Sequence, residues 1–317
     1  MRKWSTARAA PDLVIRSDVK ESIDMQVAIA GASGFLGRHL AARLARDGVT
    51  CRILSRRDME QGDIPGFLAG CGTVVNCVGE KSGVGEAAEL ANVIIPQRLY
   101  EAARNAAVKQ FVHVSSVAAV ASSSNFGELL DDTVTPRPDS PYGRSKLRGD
   151  EALHRIASGG PLLTILRPPI LIAEDAPGVF ALFRRAAERG LPLPLKGAEG
   201  RRSFMHVDNF VEAVLAAIRT GQAGTYIVTD SAPLTSEELY ARMLVAAGRR
   251  KRVFSVGELG RRMLQKLLGR RGESLFGAAA FDGGRFARAA SPQWLVPPDD
   301  IVRAAMGRAV NPPTRTG

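Results

Sequence analysis

Val27-Ala28-Ile29-Ala30-Gly31-Ala32-Ser33-Gly34-Phe35-Leu36-Gly37 is the stretch whose reading decides the fold. A short apolar run ends at Gly31, and a helical pattern then runs over Phe35–Arg46 with Leu36, Leu40 and Leu44 on one face. Glycine at positions 31, 34 and 37 allows a tight turn, close approach of backbone to a pyrophosphate, and close helix–strand packing. The helix N-terminus adds unpaired N–H groups and a partial positive charge. An ordinary strand-to-helix turn also uses glycine, but strand, triplet and amphipathic helix follow here in the order a dinucleotide site requires. Gly31, Ser33, Gly34, Phe35, Leu36 and Gly37 are therefore candidate cofactor contacts.

Further apolar runs follow at Cys51–Leu54, 73–76, 111–114 and 162–166, with helical patterns between them at about 86–106 and Pro141–Ile156. Short buried strands alternating with helices predict an α/β fold, a doubly wound parallel sheet with crossover helices. Segments 131–140 and 191–200 are rich in Pro, Gly and polar residues and read as linkers. Residues 1–24 carry mixed charge without the apolar centre of a signal peptide, and are expected to be a dispensable arm.

Of 317 residues, 45% are hydrophobic and 24% charged, which excludes a disordered or low-complexity chain. No stretch approaches the roughly 18 apolar residues of a transmembrane helix. Cys51, Cys71 and Cys77 have no metal-type spacing and suit a reduced, cytoplasmic interior. The formal charge of +11 is concentrated: residues 249–271 hold nine cations against Glu258, so +8 of it sits there. In that segment Val256, Leu259, Met263, Leu264, Leu267 and Leu268 approximate one apolar helical face. The expectation is a helix packed on its lobe with a solvated charged side; weak peripheral contact with anionic lipid is the alternative. No nucleic-acid partner is expected, because the aromatics that stack bases are missing.

The second run ends Arg52-Ile53-Leu54-Ser55-Arg56-Arg57-Asp58. An acidic residue at position 55 would select NAD; Ser55 with Arg56 and Arg57 beyond it favours NADP, with NAD the alternative. In Ser140-Pro141-Tyr142-Gly143-Arg144-Ser145-Lys146, Ser140 can cap a helix that Pro141 starts, placing Tyr142 and Lys146 one turn apart on one face. An ammonium beside a phenol favours the phenolate and makes the tyrosine usable as an acid–base group. The run at 111–114 ends in Ser115-Ser116, where a hydroxyl can hold a carbonyl oxygen.

Together, the glycine turn, Ser115-Ser116 and Tyr142-Gly143-Arg144-Ser145-Lys146 resemble the extended short-chain dehydrogenase/reductases, from about residue 25 to the C-terminus. The resemblance implies a Rossmann domain over 25–168 and a smaller substrate lobe over 169–317, partly interleaved. It implies that Ser116 orients the substrate, Tyr142 is the acid/base, and Lys146 lowers the tyrosine pKa and binds the nicotinamide ribose. Asp63 and Ile64 resemble the adenine-side motif, Asn76-Cys77-Val78 the loop that passes the cofactor, and Pro168 the segment that backs the nicotinamide. The run from Arg189 to Asn209, and Asp282 through Trp294 and Pro297, resemble the nucleotide-sugar branch of 4-epimerases and 4-ketoreductases. There Arg202 would contact the diphosphate, with Ser115 beside the substrate.

The implied activity is NADPH-dependent reduction of C4 in a UDP-linked 4-keto sugar. The alternatives are a 4-epimerase with tightly bound NAD and a non-catalytic nucleotide-bound scaffold subunit. The dehydratase reading is rejected, since Val117-Ala118 stands where its Asp-Glu pair belongs. Ile170-Leu171-Ile172-Ala173 replaces the branch's Tyr-Gly-Pro continuation, no asparagine follows near Val179, and the gap from Asp58 to Gly62 leaves no room for a full third strand. His113 reads as a core histidine and Asn92 as a helix–strand bond. No metal site is expected, and the resemblance implies a homodimer.

Overall fold

In the computed structural model, which describes residues 26–269 and 276–310, the expected strands form one parallel sheet. The N-terminal arm and the cations Arg270 and Arg271 lie outside the described residues. In chain order the strands are β1 (Gln26–Ala30), β2 (Cys51–Leu54), β3 (Cys71–Asn76), β4 (Gln110–Val114), β5 (Leu162–Arg167), β6 (Ile170–Ile172), β7 (Arg201–Arg202), β8 (Phe204–His206), β9 (Gly224–Ile227) and β10 (Leu234–Thr235). The main sheet has the order β2-β1-β3-β4-β5-β9. Every pairing in it is parallel, with Ala30 opposite both Leu54 and Asn76. The chain leaves β1 toward one edge and returns on its other side, so the strand order reverses between β1 and β3. A crevice at the carboxyl ends of these strands is where such sheets bind ligands.

Both faces of the sheet are covered, which explains why its strands read as continuous apolar runs. Val27 and Ile29 pack with Leu36, Leu40, Leu44 and Phe210 on one face. Ala28 and Ala30 pack with Leu99, Tyr100 and Leu153 on the other. Strand β2 ends the sheet, since the short connection after it forms two small helices, Arg56–Gln61 and Ile64–Leu68, in place of a further strand. Outside the main sheet β6 pairs with β8 and β7 with β10, while β9, between β8 and β10 in the chain, returns to the main sheet beside β5. The larger core joins sheet residues to Phe180, Phe183, Tyr240 and Met243 of the C-terminal half.

The helix expected at 86–106 is interrupted. Gly85–Glu89 runs into a π-helical turn, Leu90–Ile94, before Ile95–Asn105 resumes the α period. Pro96 has no N–H to donate to the Asn92 carbonyl one turn back, which favours the wider turn. The helix Pro141–Ile156 crosses at this point on Gly149, where an added Cβ would lie 2.1 Å from the Asn92 carbonyl oxygen.

Candidate active site

The glycine turn closes on the loop after β3. Gly31 has φ +81°, a conformation glycine adopts freely, and a Cβ on it would lie 2.9 Å from the Cys77 carbonyl carbon and the Val78 nitrogen. A Cβ on Gly37 would lie 2.2 Å from the Gly31 oxygen, so the helix sits directly against the turn. That helix has Gly34 at its N-cap, no side-chain cap and no acid in its first turn. Its leading N–H groups are thus left to an anion, and the donor set fits a dinucleotide pyrophosphate. Ser33 is exposed, Phe35 is half-buried, and Leu36 belongs to the core.

At the end of β2, Ser55 caps the helix Arg56–Gln61. Its N–H and hydroxyl donate to Asp58 Oδ2 at 2.8 and 2.6 Å, and the Asp58 N–H donates back to Ser55 Oγ at 3.2 Å. These bonds hold the Asp58 carboxyl below its usual range, the Ser55 hydroxyl contributing most. Arg56 and Arg57 stand exposed beside it. The Asp63 carboxylate caps the next helix through the Gly66 N–H at 3.0 Å, and Ile64 is buried in the core. Asn76 is fully buried: its Oδ1 accepts from the Val78 N–H and its Nδ2 donates to His113 Nδ1, both at 3.0 Å. It shapes the cofactor-side loop from beneath. Burial pushes the Cys77 thiol up to about 12, with Lys146 pulling it back, so the thiol stays protonated.

Ser140 caps the helix Pro141–Ile156 by accepting from the Gly143 N–H at 3.0 Å. Tyr142, in its first turn, lies beside Ser116 closely enough for the serine hydroxyl to favour its phenolate. Burial raises the phenol above its ordinary value, the Ser116 hydroxyl lowers it, and the negative charges of Asp150 and Glu80 raise it again. Lys146 is buried and donates to the Val114 carbonyl, the last of β4, at 2.8 Å. Burial pushes its ammonium down to about 8, against the charge of Asp150 and then the Cys77 thiol. In this structure the ammonium is engaged by the strand carbonyl, and the phenol is shifted upward chiefly by burial.

Ser115 departs from the expected place beside the substrate. Successive strand residues face opposite sides, so a chain that turns Ser116 toward Tyr142 turns Ser115 away. Ser115 is buried, and its hydroxyl donates to Asp150 Oδ2 at 2.9 Å instead of facing substrate. The same oxygen receives Arg167 Nε and an Arg167 terminal nitrogen at 2.9 Å each. His113 lies against this pair, with Nε2 3.8 Å from Asp150 Oδ1; burial first, then Lys146 and Arg167, hold it well below the usual imidazole range and neutral. Asp150 and Arg167 were missed from the sequence as site residues, although Asp150 stands one helical turn after Lys146 on the same face. Asn92 grips the Glu80 N–H and carbonyl at 2.9 and 2.8 Å and donates to Ser145 at 2.9 Å, tying the cofactor-side loop to the tyrosine helix. The Pro168 carbonyl accepts from the Val117 N–H at 3.0 Å, fixing the segment that carries Ser116. Arg202 lies on β7, half-buried, with one terminal nitrogen donating to the Gly277 carbonyl at 3.3 Å. No helix among the described residues is long and apolar enough to cross a membrane.

A parallel sheet reversing at a glycine turn, with a tyrosine and a buried lysine one turn apart beside a strand-end serine, defines a dinucleotide-dependent protein of the extended short-chain dehydrogenase/reductase class. Over residues 27–228 the chain matches the NAD dependent epimerase/dehydratase family, and it belongs to that family. A ceramide reductase of Caulobacter vibrioides is 30% identical over 223 residues, 64% of each chain. The 4-hydroxy-2-methyl-3-oxo-4-farnesyl-3,4-dihydroquinoline-1-oxide ketoreductase of Stigmatella aurantiaca is 24% identical over 246 residues, 71% of this chain and 74% of that one. Among solved structures, UDP-N-acetylglucosamine 4-epimerase from Bacillus cereus superimposes with a TM-score of 0.73 at 20% identity, covering 89% of this chain and 98% of that one; it shares the fold.

Proposed function

We propose that this chain is an NADPH-dependent ketoreductase. The observation that carries the reading is Tyr142 beside Ser116, with Lys146 buried one turn away. In this reading Ser116 holds the substrate carbonyl oxygen and Tyr142 gives it a proton, leaving an alcohol. The nicotinamide supplies the hydride for the carbonyl carbon. Lys146 holds the nicotinamide ribose and returns a proton to Tyr142. The 31–37 turn takes the pyrophosphate, and Arg56 with Arg57 takes the adenosine 2′-phosphate, which two exposed guanidinium groups suit better than a bare ribose.

For the carbonyl, the nucleotide-sugar-like run through Arg202 supports C4 of a UDP-linked 4-keto sugar. A second reading, a ketone carried on a lipid, is favoured by the relatives named as reductases of a ceramide and of a farnesyl-bearing quinoline oxide. NADPH oxidation by the purified chain, with a UDP-4-keto sugar in one set of assays and a detergent-dispersed long-chain ketone in the other, separates the two. Tyr142→Phe is expected to lose on the order of 10²–10⁴-fold in turnover. Full turnover by that variant, with either ketone, overturns the reading.

A further inference from the structure

The helix Gly257–Leu268 carries an apolar stripe on its solvent side. Leu259, Met263 and Leu267 are 75%, 67% and 83% exposed. At about 100° per residue, positions four apart drift only slowly around a helix, so the three form one continuous ridge. Leu264, further around the same arc, is half-buried against the main core. The apolar arc thus begins at the fold and continues past it into solvent, whereas a helix that only packs on its lobe turns its apolar face inward.

The polar border of the ridge is basic. Arg262 and Lys266 are exposed on the side away from Leu264, with Arg262 paired to Glu258 one turn earlier. Just before the helix, Arg249, Arg250, Lys251 and Arg252 are all exposed, and Phe254 follows at 45% exposure. Arg249 is tied to the Glu188 carbonyl and Lys251 to Glu237. Phe254 is held by backbone bonds with Leu193 and Lys196, so this basic stretch is anchored along the lobe. An exposed apolar ridge bordered by cations matches the interface of an anionic bilayer: acyl boundary for the ridge, phosphate headgroups for the guanidinium and ammonium groups.

We propose that residues 249–268 are a membrane-docking surface for anionic phospholipid, with Leu259, Met263 and Leu267 entering the headgroup–acyl boundary. A second copy of this chain is disfavoured as occupant, because it would set this strongly basic segment against its own like charge.

The test uses the full chain and no substrate, so its outcome is independent of the ketoreductase reading. The chain is centrifuged with vesicles of phosphatidylcholine alone and with vesicles in which half the lipid is phosphatidylglycerol. It is expected to pellet with the anionic vesicles at low salt and to be released at high salt. The triple variant Leu259→Ser/Met263→Ser/Leu267→Ser should lose on the order of 100-fold in partitioning with an unchanged melting curve, since apolar burial would dominate insertion. Arg250→Gln, Arg252→Gln and Lys266→Gln should each lose about fivefold. No pelleting with anionic vesicles at low salt overturns the proposal. So does pelleting that the triple variant retains, or a concentration-dependent dimer in light scattering that the triple variant breaks, which would make the ridge a subunit interface.

Discussion

Replacing Asp150 tests whether the charges beneath the candidate site form one unit. Asp150 is 1% exposed and holds Arg167 through two contacts of 2.9 Å, with Ser115 on the same oxygen and Lys146 one turn away. Burial pushes its carboxyl up, and Arg167, then Lys146 and the two hydrogen bonds, pull it back. In Asp150→Leu both cations lose their counter-charge inside the protein. Breaking a buried pair from one side costs about 3–5 kcal/mol, while removing both partners is close to neutral. Urea unfolding should therefore show a loss of about 3–5 kcal/mol for Asp150→Leu, and Asp150→Leu/Arg167→Leu should recover a large part of it. A milder variant, Asp150→Asn, keeps an acceptor for Ser115 but removes the charge that raises the Lys146 pKa. Its alkaline limb of activity should move to lower pH. A single-variant loss under about 1 kcal/mol, or a double variant costing the sum of both singles, would refute the coupled-cluster reasoning.

Other expectations follow from the same geometry. Lys146 is cationic below its pKa of about 8, so turnover should be sustained near neutrality and fall as pH rises through 8, beginning well before an ordinary lysine would titrate; a flat profile to pH 10, about the ordinary phenol value, would contradict this. Asp230 is raised to about 6, chiefly by burial, with the Asn209 amide and the His206 N–H as opposing bonds at 2.8 and 3.0 Å. Its folded pKa exceeds its unfolded one, so its contribution is most favourable below the unfolded pKa and is lost as pH rises from about 4 through 6. The ionised form is disfavoured in the fold by about 3 kcal/mol, and Asp230→Asn should flatten that dependence in unfolding curves collected across the range. Arg56→Ala/Arg57→Ala should weaken NADPH binding about 10–100-fold in calorimetric titration and leave NADH binding nearly unchanged; equal loss for both would remove these arginines from phosphate recognition. Gly37→Ala should abolish dinucleotide binding or folding, because its Cβ would stand 2.2 Å from the Gly31 backbone oxygen.

Much of the frame was legible because buried parallel strands leave uninterrupted apolar runs and because a cap, a proline and a helical period mark Pro141–Ile156 directly. The sheet edge at β2 followed from counting residues: the chain between Ser55 and Gly70 holds two short helices and has no length left for another crossover. The π turn at Leu90–Ile94 was not legible, since a single displaced residue barely changes a hydrophobic period. The two serines after β4 are equivalent as letters; resemblance alone favours Ser116 in the sequence, and the alternation of strand side chains turns the two to opposite sides. Asp150 was hidden for a related reason. A carboxylate four residues after a lysine is common on helix surfaces, and nothing local says that Arg167, from another strand, will bury it.

The central claim, a reductase that exchanges NADPH rather than an epimerase that retains NAD, is tested most directly without any substrate. The freshly purified chain is denatured, any released dinucleotide is identified by mass, and the native chain is then titrated with NADPH and with NADH. The account predicts no stoichiometric dinucleotide on release and tighter binding of NADPH. Stoichiometric NAD on release would contradict the reductase in favour of the epimerase, and a chain that binds neither dinucleotide would contradict both.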